Sequence, residues 1–223
     1  METTSKQIVP LQLSEGQRLL NETNIKQTLL VRIFSKQSKS GYCGVHTAAL
    51  LMSARHFGLK YPDERQQKAC DVSDVPFSDT NMFTFDETTR VVSSEKLVVE
   101  GASLSDLEEL FRQHGLFNHC ERFYADSCGV DDFRSRSVVA LSHSDSRQGV
   151  LVNFKCDFIL NDKLFSSGHV SPLAAYHEPS DRFLLLDTAI PNKDVWIPTE
   201  ELHRRMNTRD PISGINRGFL IAS

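Results

Sequence analysis

The chain has no CxxC pair: its five cysteines stand at 43, 70, 120, 128 and 156. An odd, widely spaced set argues against both a disulfide framework and a standard zinc site, and it fits a reducing compartment. Long apolar runs are missing too. The longest near the N-terminus, Leu29-Leu30-Val31, is cut by Arg32, so there is neither a charged-then-apolar signal region nor a stretch of membrane-spanning length. Cytoplasm is therefore the default expectation, with export by a route other than Sec left open. Nor is there a basic surplus. Lys and Arg number 25 against 29 Asp and Glu, a net charge of −4, and the basic residues are scattered without aromatic interleaving. That argues against a nucleic-acid groove and points to a small molecule or peptide as partner. Internal repeats and low-complexity segments are absent.

What is present is ordinary globular material. The 223 residues, 39% hydrophobic and 24% charged, suffice for one domain with a real core. Residues 1–36 are polar with short apolar bursts and read as an N-terminal extension, with a helix expected across Ser14 to Leu30; residues 37–223 read as the main domain. From Cys43 to Phe57 the residues Val45, Ala48, Ala49, Leu51, Met52 and Ala54 recur at three and four, which predicts a helix closed by Gly58 and Pro62. The polar stretch from Tyr61 to Lys96 predicts loops and short helices. Ser103-Leu-Ser-Asp106 has the form of a capping box before Leu107, Leu110 and Phe111, with Gly115 as the stop. A shorter helix is expected over 131–142. After Gly149 the texture turns β-prone, and 149–154, 169–176, 183–187 and 218–223 predict an antiparallel sheet. Glu178-Pro-Ser-Asp181 makes a tight turn that leaves His169 and Asp187 at the open ends of neighbouring strands. A helix from Thr199 to Met206 precedes the last strand. The expected class is α+β, with helices carrying Cys43 and an antiparallel sheet carrying His169 and Asp187.

Cys43 stands in Gln37-Ser-Lys-Ser-Gly41-Tyr-Cys43-Gly44, directly at the start of the helical run. A thiol at a helix N-terminus faces the positive end of the macrodipole and several unpaired N–H groups, which lowers its pKa and populates the thiolate. The Gln37 amide reaches the same place and, with the Cys43 N–H, makes an oxyanion hole. A helix-start cysteine, then a strand histidine, then an aspartate on the next strand is the order of a papain-like triad. Cys43 attacks a carbonyl, His169 takes the thiol proton and returns it to the leaving amine, and Asp187 orients the imidazole. Plainer readings stand beside these. Most free cysteines are packed core thiols, Asp187 serves equally as a turn cap, and other Cys-His-Asp acyltransferases or peptidases, such as arylamine acetyltransferases and transglutaminase-like proteins, share the order. His46, three residues along the Cys43 helix, is expected on the surface or in packing. His114, His119, Cys120 and Cys128 are the candidates for a soft-metal patch, although their spacing matches no standard site. A non-enzymatic metal- or thiol-binding protein is the corresponding alternative.

At these residues the chain resembles the phytochelatin synthases, papain-like enzymes that act on glutathione. Gln37 with Tyr42-Cys43-Gly44, Gly168-His169-Val-Ser-Pro-Leu-Ala-Ala-Tyr176, Asp181 through Asp187, Val195-Trp-Ile-Pro198, and Met206-Asn-Thr through Arg217-Gly-Phe219 stand in the family's order, with a looser match at Asn81-Met-Phe-Thr-Phe85. The resemblance implies a papain-like catalytic domain over 37–223. In it Cys43 attacks the Cys–Gly peptide bond of glutathione, releases glycine and holds a γ-glutamylcysteinyl thioester. Water then gives γ-glutamylcysteine, whereas a second glutathione or its metal thiolate gives a phytochelatin. It further implies that acylation requires no cofactor, that Cd(II) or Zn(II) enters as an activator or as a glutathione thiolate complex, that glutathione S-conjugates are also substrates, and that a homodimer is allowed. The γ-glutamyl end carries an ammonium and a carboxylate, so its pocket needs an acid and a fork-shaped cation. The resemblance assigns these to Asp210 and Arg217, beside Gly168. Where the family places an arginine three residues after the triad acid, this chain has Ile190. Hydrolysis is therefore expected to exceed phytochelatin synthesis, with Lys193 as the nearest substitute charge. The sequence ends where long eukaryotic members carry a Cys-rich extension, which matches the short prokaryotic form.

Overall fold

The computed structural model describes residues 7–143, 147–160, 163–189 and 193–223. The first half is helical: β1 (Val9–Pro10), α1 (Ser14–Glu22), β2 (Ile25–Lys26), α2 (Thr28–Ile33), α3 (Cys43–Lys60), α4 (Glu64–Ala69), α5 (Asp86–Thr89), α6 (Ser94–Glu100) and α7 (Leu104–His114). The second half is β-rich: β3 (Cys120–Tyr124), α8 (Val130–Leu141), β4 (Gly149–Leu160), β5 (Lys163–His177), β6 (Arg182–Leu185), β7 (Val195–Pro198), α9 (Thr199–Met206) and β8 (Gly218–Ala222). The strands form one antiparallel sheet in the order β1-β7-β6-β5-β4-β8-β3, with β2 added against β5. The architecture is α+β, as expected.

Successive residues of a strand point to opposite faces, and here each face has its own core. Leu151, Leu184, Trp196 and Leu220 pack with residues of α1, α2, α3 and α7. Val152, Phe183, Ile197 and Phe219 pack with Phe133 of α8 and with Leu202 and Met206 of α9. The sheet is thus sandwiched between two helical layers, and all four residues of β6 are buried, Phe183, Leu184 and Leu185 among them.

The helix expected from Ser14 to Leu30 is two helices. Thr23 leaves helical dihedrals (φ −84°, ψ 135°), its hydroxyl donates to the Tyr176 carbonyl, and Ile25–Lys26 then pair with β5. Residues 7–36 belong to the same body as the rest. β1 pairs with β7, Leu19, Leu29 and Leu30 lie in the first core, and Trp196 Nε1 donates to the Gly16 carbonyl at 2.9 Å. Helix α3 runs through Gly58, which is buried inside it, to Lys60. Its stop is Pro62, whose ring pushes the preceding Tyr61 out of the helical region (φ −129°, ψ 76°). Helix α7 begins and ends where the sequence placed it. Ser103 and Asp106 form the capping box, and Gly115 closes the helix in the left-handed region at φ 65°.

The β5–β6 turn sets the positions of His169 and Asp187. Asp181 sits at φ 49°. Its carboxylate takes the Arg134 guanidinium bidentately, both contacts at 2.8 Å, and accepts from the Tyr176 and Thr199 hydroxyls. From that anchor the ladder runs back along β5 and forward along β6. Among the described residues no helix is long and apolar enough to cross a membrane.

Candidate active site

Cys43 is the first residue of α3, where the opening N–H groups of a helix have no partner within it. The loop before it fits only because residue 41 is glycine. Gly41 adopts φ 84°, and a Cβ there would stand 2.3 Å from the Leu97 carbonyl oxygen of α6. His169 comes from β5, and Asp187 follows β6 by two residues. His169 Nε2 lies 2.8 Å from Asp187 Oδ1, and both residues are buried. Ser171 Oγ is 3.1 Å from the same nitrogen, and the Phe154 ring packs against the imidazole edge-on at 5.5 Å between centroids. Nε2 being engaged by Asp187, Nδ1 is left for the Cys43 thiol.

The electrostatics follow from that chain. Burial alone would raise the Cys43 pKa, but the hydrogen bond and charge of His169, with backbone groups of Val170 and Gly44, bring it below the ordinary thiol value. Burial alone would lower the His169 pKa; the hydrogen bonds and charges of Asp187 and Cys43 overcome it and raise it to about 10. Each partner favours the ion of the other, so the arrangement stabilises a thiolate–imidazolium pair. Asp187 is itself held. Its Oδ1 accepts the Ala189 N–H at 2.9 Å, and its own N–H donates to Asp194 Oδ1 at 3.1 Å. Asp194 pairs with Lys36 at 3.0 Å, and Lys36 also donates to the Asp187 carbonyl.

Gln37 lies on the same rim. Its N–H donates to the Thr188 carbonyl at 2.8 Å, Thr188 Oγ1 donates to its Oε1 at 3.3 Å, and its Nε2 donates to the Lys39 carbonyl at 2.8 Å. An amide nitrogen carries two hydrogens, so one remains for a ligand.

Cys43, His169 and Gln37 open onto a cleft of about 1100 Å³ that is also lined by Gly168, Asp210 and Arg217. Arg217 is 4% exposed. Its Nη1 donates to the Arg209 carbonyl at 2.8 Å and to Thr208 Oγ1 at 3.1 Å, while Nε has no hydrogen-bond partner among the described residues. The guanidinium lies over Gly168, where a Cβ would stand 3.2 Å from both Nε and Nη2. Burial lowers its pKa, and the field of Asp210 opposes this. A buried guanidinium edge beside a carboxylate suits a ligand that carries both an anion and a cation.

One lining residue escaped the sequence reading. Asn153 of β4 is 5% exposed, its Oδ1 has no hydrogen-bond partner among the described residues, and it lines both the cleft and an adjoining pocket of about 220 Å³ that shares Asp210. The signal available was a lone amide inside the apolar run Gly149-Val-Leu-Val-Asn-Phe154. His46, expected on the surface or in packing, is packed: it is 2% exposed, with Nε2 2.8 Å from the Ser35 carbonyl oxygen and Nδ1 3.5 Å from Asp79 Oδ1. Cys120 and Cys128 are not brought together, since Cys120 packs against the first core and Cys128 lies in the second. Burial raises the pKa of both, that of Cys120 to about 12. His114 is engaged by Thr88 Oγ1 at 2.9 Å. Among the described residues no group of three or more His, Cys, Asp and Glu side chains converges on a metal position. Ile190 lies outside the described residues, and Lys193 is exposed.

Comparison with known proteins adds a family context. A family model described as phytochelatin synthase matches residues 1–219. Glutathione gamma-glutamylcysteinyltransferase 3 of Lotus japonicus is 28% identical over 215 residues, covering 94% of this chain and 41% of that protein. Glutathione gamma-glutamylcysteinyltransferase 1 of Arabidopsis thaliana is 26% identical over 216 residues (94% and 40%), and the protein of that name from Triticum aestivum 25% over 221 residues (94% and 39%). The chain thus spans about two fifths of the length of these relatives.

Proposed function

This chain belongs to the phytochelatin synthase family, and on that premise we propose that it is a papain-like cysteine acyltransferase acting on glutathione. The observation that carries the proposal is the Cys43–His169–Asp187 chain opening onto a cleft lined by the buried guanidinium of Arg217, whose Nε has no hydrogen-bond partner among the described residues. The Cys43 thiolate attacks the carbonyl of the Cys–Gly bond. The Cys43 N–H and the Gln37 amide take the charge that develops on its oxygen. His169 passes its Nδ1 proton to the glycine nitrogen, which leaves as the amine, and a γ-glutamylcysteinyl thioester remains on Cys43. Arg217 receives the α-carboxylate of the γ-glutamyl group, and Asp210 with Asn153 Oδ1 receives its ammonium. Acylation in this reading draws only on groups of the chain.

A nucleophile then resolves the thioester, with neutral His169 taking its proton. Water gives γ-glutamylcysteine. The amine of a second glutathione, free or as a Cd(II) or Zn(II) thiolate complex, gives a phytochelatin, and S-substituted glutathiones enter as alternative donors. Because Ile190 stands where the family carries an arginine, the acceptor loses one cation, and hydrolysis is the favoured outcome. Mass spectrometry of the protein incubated with glutathione, with and without cadmium, tests this. Glycine and γ-glutamylcysteine with an acyl adduct that Cys43→Ala abolishes are expected. Longer γ-glutamylcysteine chains as the main product would reverse the hydrolase preference, and no adduct from glutathione would leave another acyl donor as the substrate.

A further inference from the structure

Behind the nucleophile lies a second buried histidine–aspartate pair that the triad does not use. His46 is one turn into α3, and Asp79 is 4% exposed in the segment before α5. The pair reaches the 35–40 loop twice. His46 Nε2 lies 2.8 Å from the Ser35 carbonyl oxygen, and Asp79 Oδ2 accepts the Ser38 N–H at 2.6 Å. A carbonyl oxygen only accepts, so Nε2 is the donor. Nδ1 then faces Asp79 Oδ1 at 3.5 Å. Burial would raise the Asp79 pKa, yet His46 and the Ser38 N–H hold it below the usual carboxylate value.

Between Ser35 and Ser38 stand Lys36 and Gln37, which are tied to the opposite wall through the carbonyls of Asp187 and Thr188. The loop is thus held alternately from two sides, by His46 and Asp79 at its outer residues and by the triad acid's neighbourhood at its inner ones. From this we propose that His46 and Asp79 are positioning residues, a clamp that fixes the Gln37 amide relative to the Cys43 N–H and so sets the width of the oxyanion hole. The clamp rests on the oxyanion role given to Gln37 above. A shift of about 1 Å in such a group costs on the order of 100-fold in rate.

The test uses the near-isosteric variants Asp79→Asn and His46→Gln, each alone and combined with Gln37→Ala. Turnover of glutathione is read beside alkylation of Cys43 by iodoacetamide, a displacement that builds no oxyanion. Each single variant is expected to lower kcat by about 100-fold, with KM and the alkylation rate unchanged. In the Gln37→Ala background the same changes should cost little more, because the group they position is gone. Equal losses in both backgrounds, or alkylation slowed in parallel, would overturn the clamp. Hydrogen exchange of the 35–40 amides gives a readout that needs no substrate. Faster exchange there in the variants, with α3 unchanged, supports the clamp even if glutathione proves not to be the donor, and unchanged exchange refutes it.

Discussion

Replacing Gly168 by alanine isolates the contact between β5 and Arg217. Gly168 is not in the left-handed region, so the added methyl brings no backbone strain and acts only through space. Its Cβ would stand 3.2 Å from both Nε and Nη2 of Arg217, tighter than an ordinary van der Waals contact, and one side must yield by a few tenths of an ångström. At Gly168 strand β5 is held by its ladder to Lys155 of β4, the β6 ladder covering only Leu173–His177. Arg217 is pinned through Nη1 to the Thr208–Arg209 segment, so the guanidinium pivots about that nitrogen and its Nε–Nη2 edge turns from the cleft. If that edge binds the substrate carboxylate, loss of one charge-assisted hydrogen bond costs about 1.5–3 kcal/mol, or about 10- to 150-fold in affinity at about 1.4 kcal/mol per decade. Calorimetric titration of glutathione into Cys43→Ala, with and without Gly168→Ala, measures this without turnover. Adding Arg217→Ala should abolish the difference between the two. Unchanged affinity in Gly168→Ala, together with a large loss in Arg217→Ala, would refute the reasoning, because the guanidinium would have absorbed the methyl without moving its working edge.

The thiolate–imidazolium pair predicts a wide pH plateau. The depressed Cys43 value keeps the thiolate from below the ordinary thiol range upward, and the raised His169 value keeps the imidazolium up to about pH 10. Cys43 alkylation should therefore be fast and flat across neutrality, both limbs belonging to the pair, and His169→Asn should move the acid limb upward; a limb that does not move would remove His169 as the partner. Gly44→Ala would bring a Cβ to 3.0 Å from Ala102 Cβ and 3.3 Å from Leu107 Cδ2, so overpacking of about 1–3 kcal/mol is expected in chemical denaturation. Trp196→Phe removes the hydrogen bond to Gly16 and part of the first core. It should destabilise the whole chain by about 2 kcal/mol or more in a single transition, whereas a separate early transition would show that residues 7–36 unfold on their own.

Features encoded within a few residues were legible. The capping box at Ser103 and the stop at Gly115 are complete in the sequence, and α7 starts and ends there. Features made by distant partners were not. After Gly16 no glycine or proline breaks the stretch from Ser14 to Leu30, but the carbonyl that captures Thr23 belongs to Tyr176, 153 residues away. Gly58 looked like a helix stop because glycine costs about 1 kcal/mol in a helix interior, and packing overrode that preference. Strands β3 and β7 are five and four residues long, and they exist because β8 and β6 present ladders to them.

The same division runs through the site. His169 and Asp187 could be placed at the open ends of neighbouring strands because the turn at 178–181 is local, whereas the register shift between Leu173 and Ala175 that lies between that turn and both residues was not legible. His46 shows where that logic fails. A stripe of apolar residues implies a polar face in water, yet 13 of the 18 residues of α3 are buried, including Thr47 and Ser53. A helix enclosed on all sides turns each polar residue on it into a question of which partner satisfies it. For Thr47 the partner is the Val170 carbonyl, for Ser53 the Phe77 segment, and for His46 the Ser35 carbonyl and Asp79. Each of these bonds ties α3 to another part of the molecule, Thr47 to the strand of His169 and His46 to the loop of Gln37. The buried polar residues of α3 thus join the helix of Cys43 to the strand of His169 and the loop of Gln37, and the apolar period that predicted the helix carried no sign of these ties.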